Sequence, residues 1–260
     1  MKAINTNING VGIHTNCVSK FTISQIATAT QISIDDEIFL ITDNNYVFHD
    51  RCSAIKLKTQ YLQTPEHLFG ALALLNNFNV NIIVENELKE FPVGPDNGES
   101  FFKNLFSFKK NAIFQKNVSN SNFQFKEDER IYSVEPSEYF ECKIIQTFLK
   151  KEMYEINFST HDLNNVEFLN EISKARTWVY KDKLEMLLKK DLCFGFENKW
   201  CKIVEEEELS SPKILRELTL HKLLDLIGDL YVLGFYPKIK LTVENPNHRL
   251  NNKLRNLLIS

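Results

Sequence analysis

The most apolar stretch of the 260-residue chain, Leu220 to Phe235, is interrupted by four ionisable side chains, His221, Lys222, Asp225 and Asp229. A bilayer would penalise each of these charges unless it were paired, so the segment is no transmembrane span. A buried helix with one polar face accommodates both features, and Leu223, Leu224, Ile227, Leu230 and Tyr231 form its apolar stripe. The spacing predicts a helix over 221–233. His221 and Asp225 then leave one face a turn apart, close enough to reach one cation, and Asp229 continues the row. An acidic row on such a helix must be paired, hydrated or bound to metal.

A second helix is predicted from Thr64. Thr64 can cap, Pro65 suits the first helical position, Glu66 favours the positive end of the dipole, and Leu68, Ala71, Leu72 and Leu75 repeat at helical spacing. Each half of the polar constellation has an ordinary explanation by itself. His221 and Asp225 can form a helix-surface ion pair, Glu66 can serve the dipole, and His67 can cap or pack. Taken together, two histidines and an aspartate make a three-ligand set typical of catalytic zinc, with a position left for water and an adjacent glutamate as base. The same donors also suit iron(II).

Short apolar runs at Phe21–Ser24, Gln31–Ile34 and Ile38–Ile41 read as strands, as do 80–85, 131–134, 141–148, 154–159 and 239–243. Further helices are expected at 100–108, 166–175, 182–189 and 251–258. Asn245-Pro246-Asn247 reads as a turn, which leaves His248 in an exposed loop. Strands and helices mixed without a steady alternation indicate an α+β fold, and no internal repeat is visible. Asn117, Ser119, Asn120, Ser121 and Asn122 mark a polar connection over 116–130 between domains at 1–115 and 131–260. The formal charge of −3 gives no electrostatic case for nucleic acid, and the lysine pairs 109–110, 150–151 and 189–190 read as solvated faces. Five scattered cysteines without CxxC spacing fit a reducing cytosol, and Asn5, Asn7 and Asn9 exclude a secretory signal near the start. The segment Gly10-Val11-Gly12-Ile13-His14-Thr15 lacks the ending and preceding strand of a phosphate loop.

Read in order, several segments resemble the UDP-3-O-acyl-N-acetylglucosamine deacetylases, which commit bacterial cells to lipid A synthesis. They are Gly10 to Thr15, Thr64-Pro65-Glu66-His67-Leu68 with Ala71-Leu72-Ala73, Ala175-Arg176-Thr177, Leu192-Cys193, His221 to Leu230, and His248 to Leu254. The last two blocks are the most specific. The resemblance implies a cytoplasmic, monomeric Zn2+ hydrolase, with Fe2+ as the other candidate ion, acting on a UDP-linked acylated amino sugar. It implies that His67, His221 and Asp225 ligate the metal and that Glu66 is the general base. His248 would protonate the leaving amine, Asp229 would orient it, Thr177 would donate to the oxyanion, and Lys222 would contact substrate near its phosphates. It also implies two α+β domains, each a helix pair on a sheet, with the site between them. An inserted hairpin-like unit over about 179–204 would form the acyl-chain passage, with Leu187, Leu188, Leu192, Phe194 and Phe196 as candidate lining.

Three places depart from the family pattern: Asn97-Gly98-Glu99-Ser100 with extra residues before it, a short loop between Phe148 and Tyr154, and an abbreviated segment over 43–59. A zinc amidase for another acylated amino sugar and a non-catalytic homologue are the competing expectations. All depend on the two helices meeting, with the His67 ring nitrogens within about 6 Å of Asp225, since bonds to a shared zinc ion are near 2 Å.

Overall fold

The structure, a computed structural model, describes residues 5–58, 60–84, 88–92, 99–190, 192–193, 195 and 201–260. The chain opens with β1 (Asn5–Val11), β2 (Val18–Gln25), β3 (Gln31–Ile34) and β4 (Glu37–Leu40). In β1, Asn5, Asn7 and Asn9 face outward while Ile8 is buried, the alternation of an edge strand with one wet face. A three-stranded antiparallel unit follows, β5 (Tyr46–His49), β6 (Cys52–Lys56) and β7 (Tyr61–Gln63), then α1 (Glu66–Leu74), β8 (Val80–Val84) and α2 (Glu99–Leu105). The first sheet runs β1-β2-β8-β3-β4, antiparallel except between β8 and β3.

After the short β9 (Gln115–Lys116), the chain lays down β10 (Phe123–Glu127), β11 (Arg130–Pro136), β12 (Glu141–Thr147) and β13 (Met153–Ser159). An intervening unit comprises α3 (Val166–Ile172), β14 (Thr177–Tyr180), α4 (Lys181–Leu188) and β15 (Cys201–Val204). Then come α5 (Pro212–Leu230), β16 (Tyr236–Pro237), β17 (Ile239–Glu244) and α6 (His248–Ile259). The second sheet runs β10-β11-β17-β12-β13, antiparallel except between β17 and β12. The fold is α+β, and the two sheets share one strand order and one pattern of directions. That is a repeat of topology that leaves no visible repeat of sequence.

Several boundaries differ from expectation for identifiable reasons. β10 lies inside the polar 116–130 segment: Phe123 and Phe125 are half-buried while Gln124 and Lys126 are exposed, a period-2 signal masked by the asparagines before it. Helix α5 begins at Pro212, well before His221, where Ser211-Pro212 is a start signal. Thr64 does not cap α1; it holds a positive φ of 60° and hydrogen-bonds Glu90. Strands β14 and β15 pair in parallel through α4, so the inserted unit is a β-α-β crossover and not a hairpin. Lys109 and Lys110 are tied down, through the Leu163 carbonyl and Asn79 Oδ1. Glu85, the stretch 93–98, Phe194 and Phe196 fall outside the described residues.

One hydrophobic cluster extends from Ile8 in β1 to Leu258 in α6 and includes the buried faces of both sheets. At its centre α1 and α5 pack at very short range. A Cβ on Gly228 would overlap the Glu66 carbonyl oxygen and stand 3.0 Å from Gly70 N, and a Cβ on Gly70 would stand 2.8 Å from the Leu224 carbonyl oxygen. Side chains of ordinary size at those positions would hold the helix axes apart. Among the described residues no helix is long and apolar enough to cross a membrane.

Candidate active site

The glycine contact sets the first turn of α1 against the middle of α5, so residues 154 apart in sequence meet: His67 Nε2 is 3.1 Å from His221 Nε2. Asp225 completes the group, with Oδ1 3.3 Å from His67 Nε2 and Oδ2 3.4 Å from His221 Nδ1. The separation is far inside the limit that shared ligation requires. All three side chains are buried. Burial holds His221 well below the ordinary imidazole pKa, in the neutral form that a metal ligand needs. Burial pushes the Asp225 carboxyl up, but His221, Lys222 and His248, with the His67 ring close by, outweigh it and hold the group well below its usual range.

Two imidazole nitrogens facing each other beside an ionised carboxylate oxygen with no hydrogen-bond partner form a donor set that a divalent cation would satisfy. One ligand atom from each of His67, His221 and Asp225 falls within a 4.8 Å span. The donor chemistry, two nitrogens and one carboxylate oxygen, fits zinc or iron(II).

Glu66 is 2% exposed and its Oε2 has no hydrogen-bond partner. Burial raises its pKa to about 7 despite the opposing charges of His248 and His67. His248 is the first residue of α6 rather than a loop histidine, because the Asn247 side chain accepts from Leu250 N and starts the helix there. Its Nε2 lies 3.7 Å from Glu66 Oε1, and its Nδ1 is 2.9 Å from Asp229 Oδ2. Burial lowers the His248 pKa, but Asp229, Glu66 and Asp225 overcome that and lift it to about 10.

Asp229 is paired, not hydrated. Oδ2 also accepts from Asn251 Nδ2 at 2.8 Å, and Oδ1 accepts from the Tyr46 hydroxyl at 3.0 Å and from the Ser53 hydroxyl. Tyr46 and Ser53 carried no local signal of such a role, and Asn251 belonged only to a motif. Thr177 is pinned on both sides by α5: Arg176 Nε donates to Glu217 at 2.7 Å and Trp178 Nε1 to the Leu218 carbonyl at 3.2 Å. Its hydroxyl thereby comes to 3.0 Å from His221 Nε2 and 3.4 Å from His67 Nε2. Lys222 Nζ lies 3.0 Å from Asp225 Oδ2.

Glu90 also escaped sequence reasoning. It is fully buried, and it accepts from His14 N at 2.9 Å, Thr15 N at 2.8 Å and the hydroxyls of Thr15 and Thr64. The backbone amides after β1 are thus occupied by an internal carboxylate and cannot cradle a phosphate. The same carboxylate holds Thr64, a β-branched residue at positive φ, two positions before Glu66. Strain of about 1–3 kcal/mol at such a residue persists only where the surroundings enforce it.

Glu66, His67, Thr177, His221, Lys222, Asp225 and His248 line a cavity of about 420 Å³ together with Ile13, His14, Arg51, Val179, Leu187, Cys193 and Arg249. Leu192 packs against the Val179, Leu187 and Cys193 cluster behind it, while Leu188 is exposed on the outer side of α4.

A UDP-3-O-acyl-N-acetylglucosamine deacetylase of Aquifex aeolicus is 30% identical over 268 aligned positions, covering 95% of this chain and 88% of the relative. The enzyme of the same name from Campylobacter hominis is 26% identical, with 94% and 86% covered, and that of Pseudoalteromonas translucida is 28% identical, with 76% and 67% covered. The family model described as UDP-3-O-acyl N-acetylglycosamine deacetylase matches residues 3–260, and on that near-complete match the chain belongs to this family.

Proposed function

We propose that the chain hydrolyses the acetamide of a UDP-linked 3-O-acyl-N-acetylglucosamine, releasing acetate and the free amine, the committed step of lipid A biosynthesis. The observation that carries this reading is the convergence of His67, His221 and Asp225 on one point beside the orphaned Glu66 carboxylate, in a member of this family. His67, His221 and Asp225 would hold the metal, zinc or iron(II), which when bound supplies Lewis-acid polarisation of the amide carbonyl and acidifies water. Glu66, with its pKa raised to about 7, accepts the proton of the attacking water. His248, protonated at neutral pH, gives its proton to the departing nitrogen, and Asp229 fixes which ring nitrogen faces the substrate. The Thr177 hydroxyl, held by α5, donates to the oxygen on which charge develops. Lys222 and Arg51, both on the cavity wall, present cations to the diphosphate, and Val179 and Leu187 offer apolar surface to the acyl chain.

Residues 1–115 and 131–260 are read as two units joined over 116–130, with the site between them; the matching order of the two sheets supports the division, and β10 adds a strand of the connection to the second. Action as a monomer in the cytoplasm belongs to the same proposal. A related amidase acting on another acylated amino sugar is the second reading. One observation favours it: the loop between β12 and β13, which departs from the family pattern, is only a single 3-10 turn, Leu149–Lys151.

The test is elemental analysis of the purified protein with an acetate-release assay, with and without chelator, on UDP-linked and free sugars. Glu66→Gln should keep the metal and lose about 10²- to 10⁴-fold in turnover. Full activity in that variant, or unaltered activity after chelation, would remove the proposal. Equal rates on the two sugars would favour the second reading.

A further inference from the structure

Arg255 is 1% exposed on the inner face of α6, and the roles above make no use of it. A guanidinium stays charged, so one buried in the core must be held by acceptors. Arg255 Nη2 donates to the Tyr46 carbonyl at 2.7 Å and Nη1 to Asn252 Oδ1 at 2.9 Å. Its guanidinium carbon also lies 5.1 Å from the Tyr46 ring centre. Both residues lead to the same oxygen of Asp229. The Tyr46 hydroxyl donates to Oδ1 directly at 3.0 Å. Asn252 Nδ2 donates to the Ser53 hydroxyl at 3.2 Å, and that hydroxyl donates to Oδ1. Asn252 Nδ2 also donates to the His248 carbonyl at 2.9 Å. Arg255 therefore grips the supports of both partners in the His248–Asp229 pair.

We propose that Arg255 is a positioning residue, which fixes Tyr46 and Asn252 so that Asp229 keeps its rotamer and presents Oδ2 to His248. With either donor to Oδ1 released, the carboxylate is held by one bond fewer and turns more readily about its side-chain bond, and the imidazole it orients turns with it. Misplacement of a reacting group by about 1 Å costs about a hundredfold in rate. A packing role alone accounts poorly for the residue, because Arg255 Nε is left without a hydrogen-bond partner and an apolar side chain of similar volume would avoid that penalty.

The inference rests on His248 being the acid, and the test separates the two claims. Arg255→Met is measured in the native background and in His248→Ala, with metal content and Tm recorded for each. In the native background kcat should fall about tenfold or more with KM and bound metal unchanged, the size typical of residues that orient a site's own side chains. In the His248→Ala background the residual rate should not change. The same fractional loss in both backgrounds would overturn the positioning role. Proton NMR of the metal-free protein with labelled histidine reads the geometry without turnover: the imidazole proton shared by His248 and Asp229 should shift or broaden in Arg255→Met, and an unaltered signal counts against the proposal. Tyr46→Phe, which deletes one route without removing the buried charge, serves where Arg255→Met does not fold, and should show the same dependence on background to a smaller extent.

Discussion

The two five-stranded sheets are built alike, and the helices laid on them are not. In each half, four strands precede an inserted unit, then a helix, a central strand and a second helix. Yet α1 has 9 residues and α5 has 19; α2 has 7 and α6 has 12. The first half offers Glu66 and His67 from a helix start, and Tyr46 and Ser53 from its insert. The second offers His221, Asp225 and Asp229 from the C-terminal half of a helix, Thr177 from its insert and His248 from the start of α6. A sheet order can be repeated with unrelated sequences because it needs only alternating burial. A reacting site needs different groups on its two sides, so the divergence is concentrated in the helices and inserts.

The sharpest way to break this comparison is to remove a ligand from each half. His67→Ala and His221→Ala should each lose most of the bound metal and about a thousandfold or more of turnover, because the three proposed ligands are split between the halves. A His67→Ala protein that keeps full metal by elemental analysis would mean that the second half binds it unaided.

The next effect concerns the two proposed proton carriers, one from each half, acting as base and acid. Glu66 must be ionised to act, so turnover should rise with pH through its pKa, about 7 before the metal is counted. His248 must be protonated, so turnover should fall as pH rises through about 10. A nearby dication favours the deprotonated form of both groups and moves both limbs downward. His248→Ala should lower kcat about a hundredfold and abolish the alkaline limb of the pH–rate curve. Persistence of that limb in the variant would assign it to another group.

The smallest effect lies where the halves touch. Gly228→Ala must push α5 from the Glu66 carbonyl, and overpacking of this kind costs about 1–3 kcal/mol, read as a lower Tm. The displaced backbone carries Glu66, so activity should fall by more than the unfolded fraction explains. An unchanged Tm would show that the helices can separate without strain.

Much of this was legible one segment at a time. The charges set in an apolar run at 220–235 required a buried helix with partners for its polar face, and Glu66-His67 at the start of α1 needed only the proline before it and helical periodicity. The His248 to Leu254 motif pointed to a functional histidine even though the turn before it suggested an exposed one. Where local signals were weak, the reading stopped: β10 was hidden by the asparagines preceding it, and the shared sheet order has no counterpart in residue identity.

The sequence by itself determined which side chains were available and that His221, Asp225 and Asp229 share one helix face, because that follows from a backbone period of about 3.6 residues. Only the tertiary structure decided that two glycines let α1 and α5 approach until the histidines face each other. It alone brought Tyr46, Ser53 and Arg255 to Asp229, and Glu90 to Thr64. Such contacts join residues far apart in the chain, and no local spacing encodes them, since they depend on how whole elements pack.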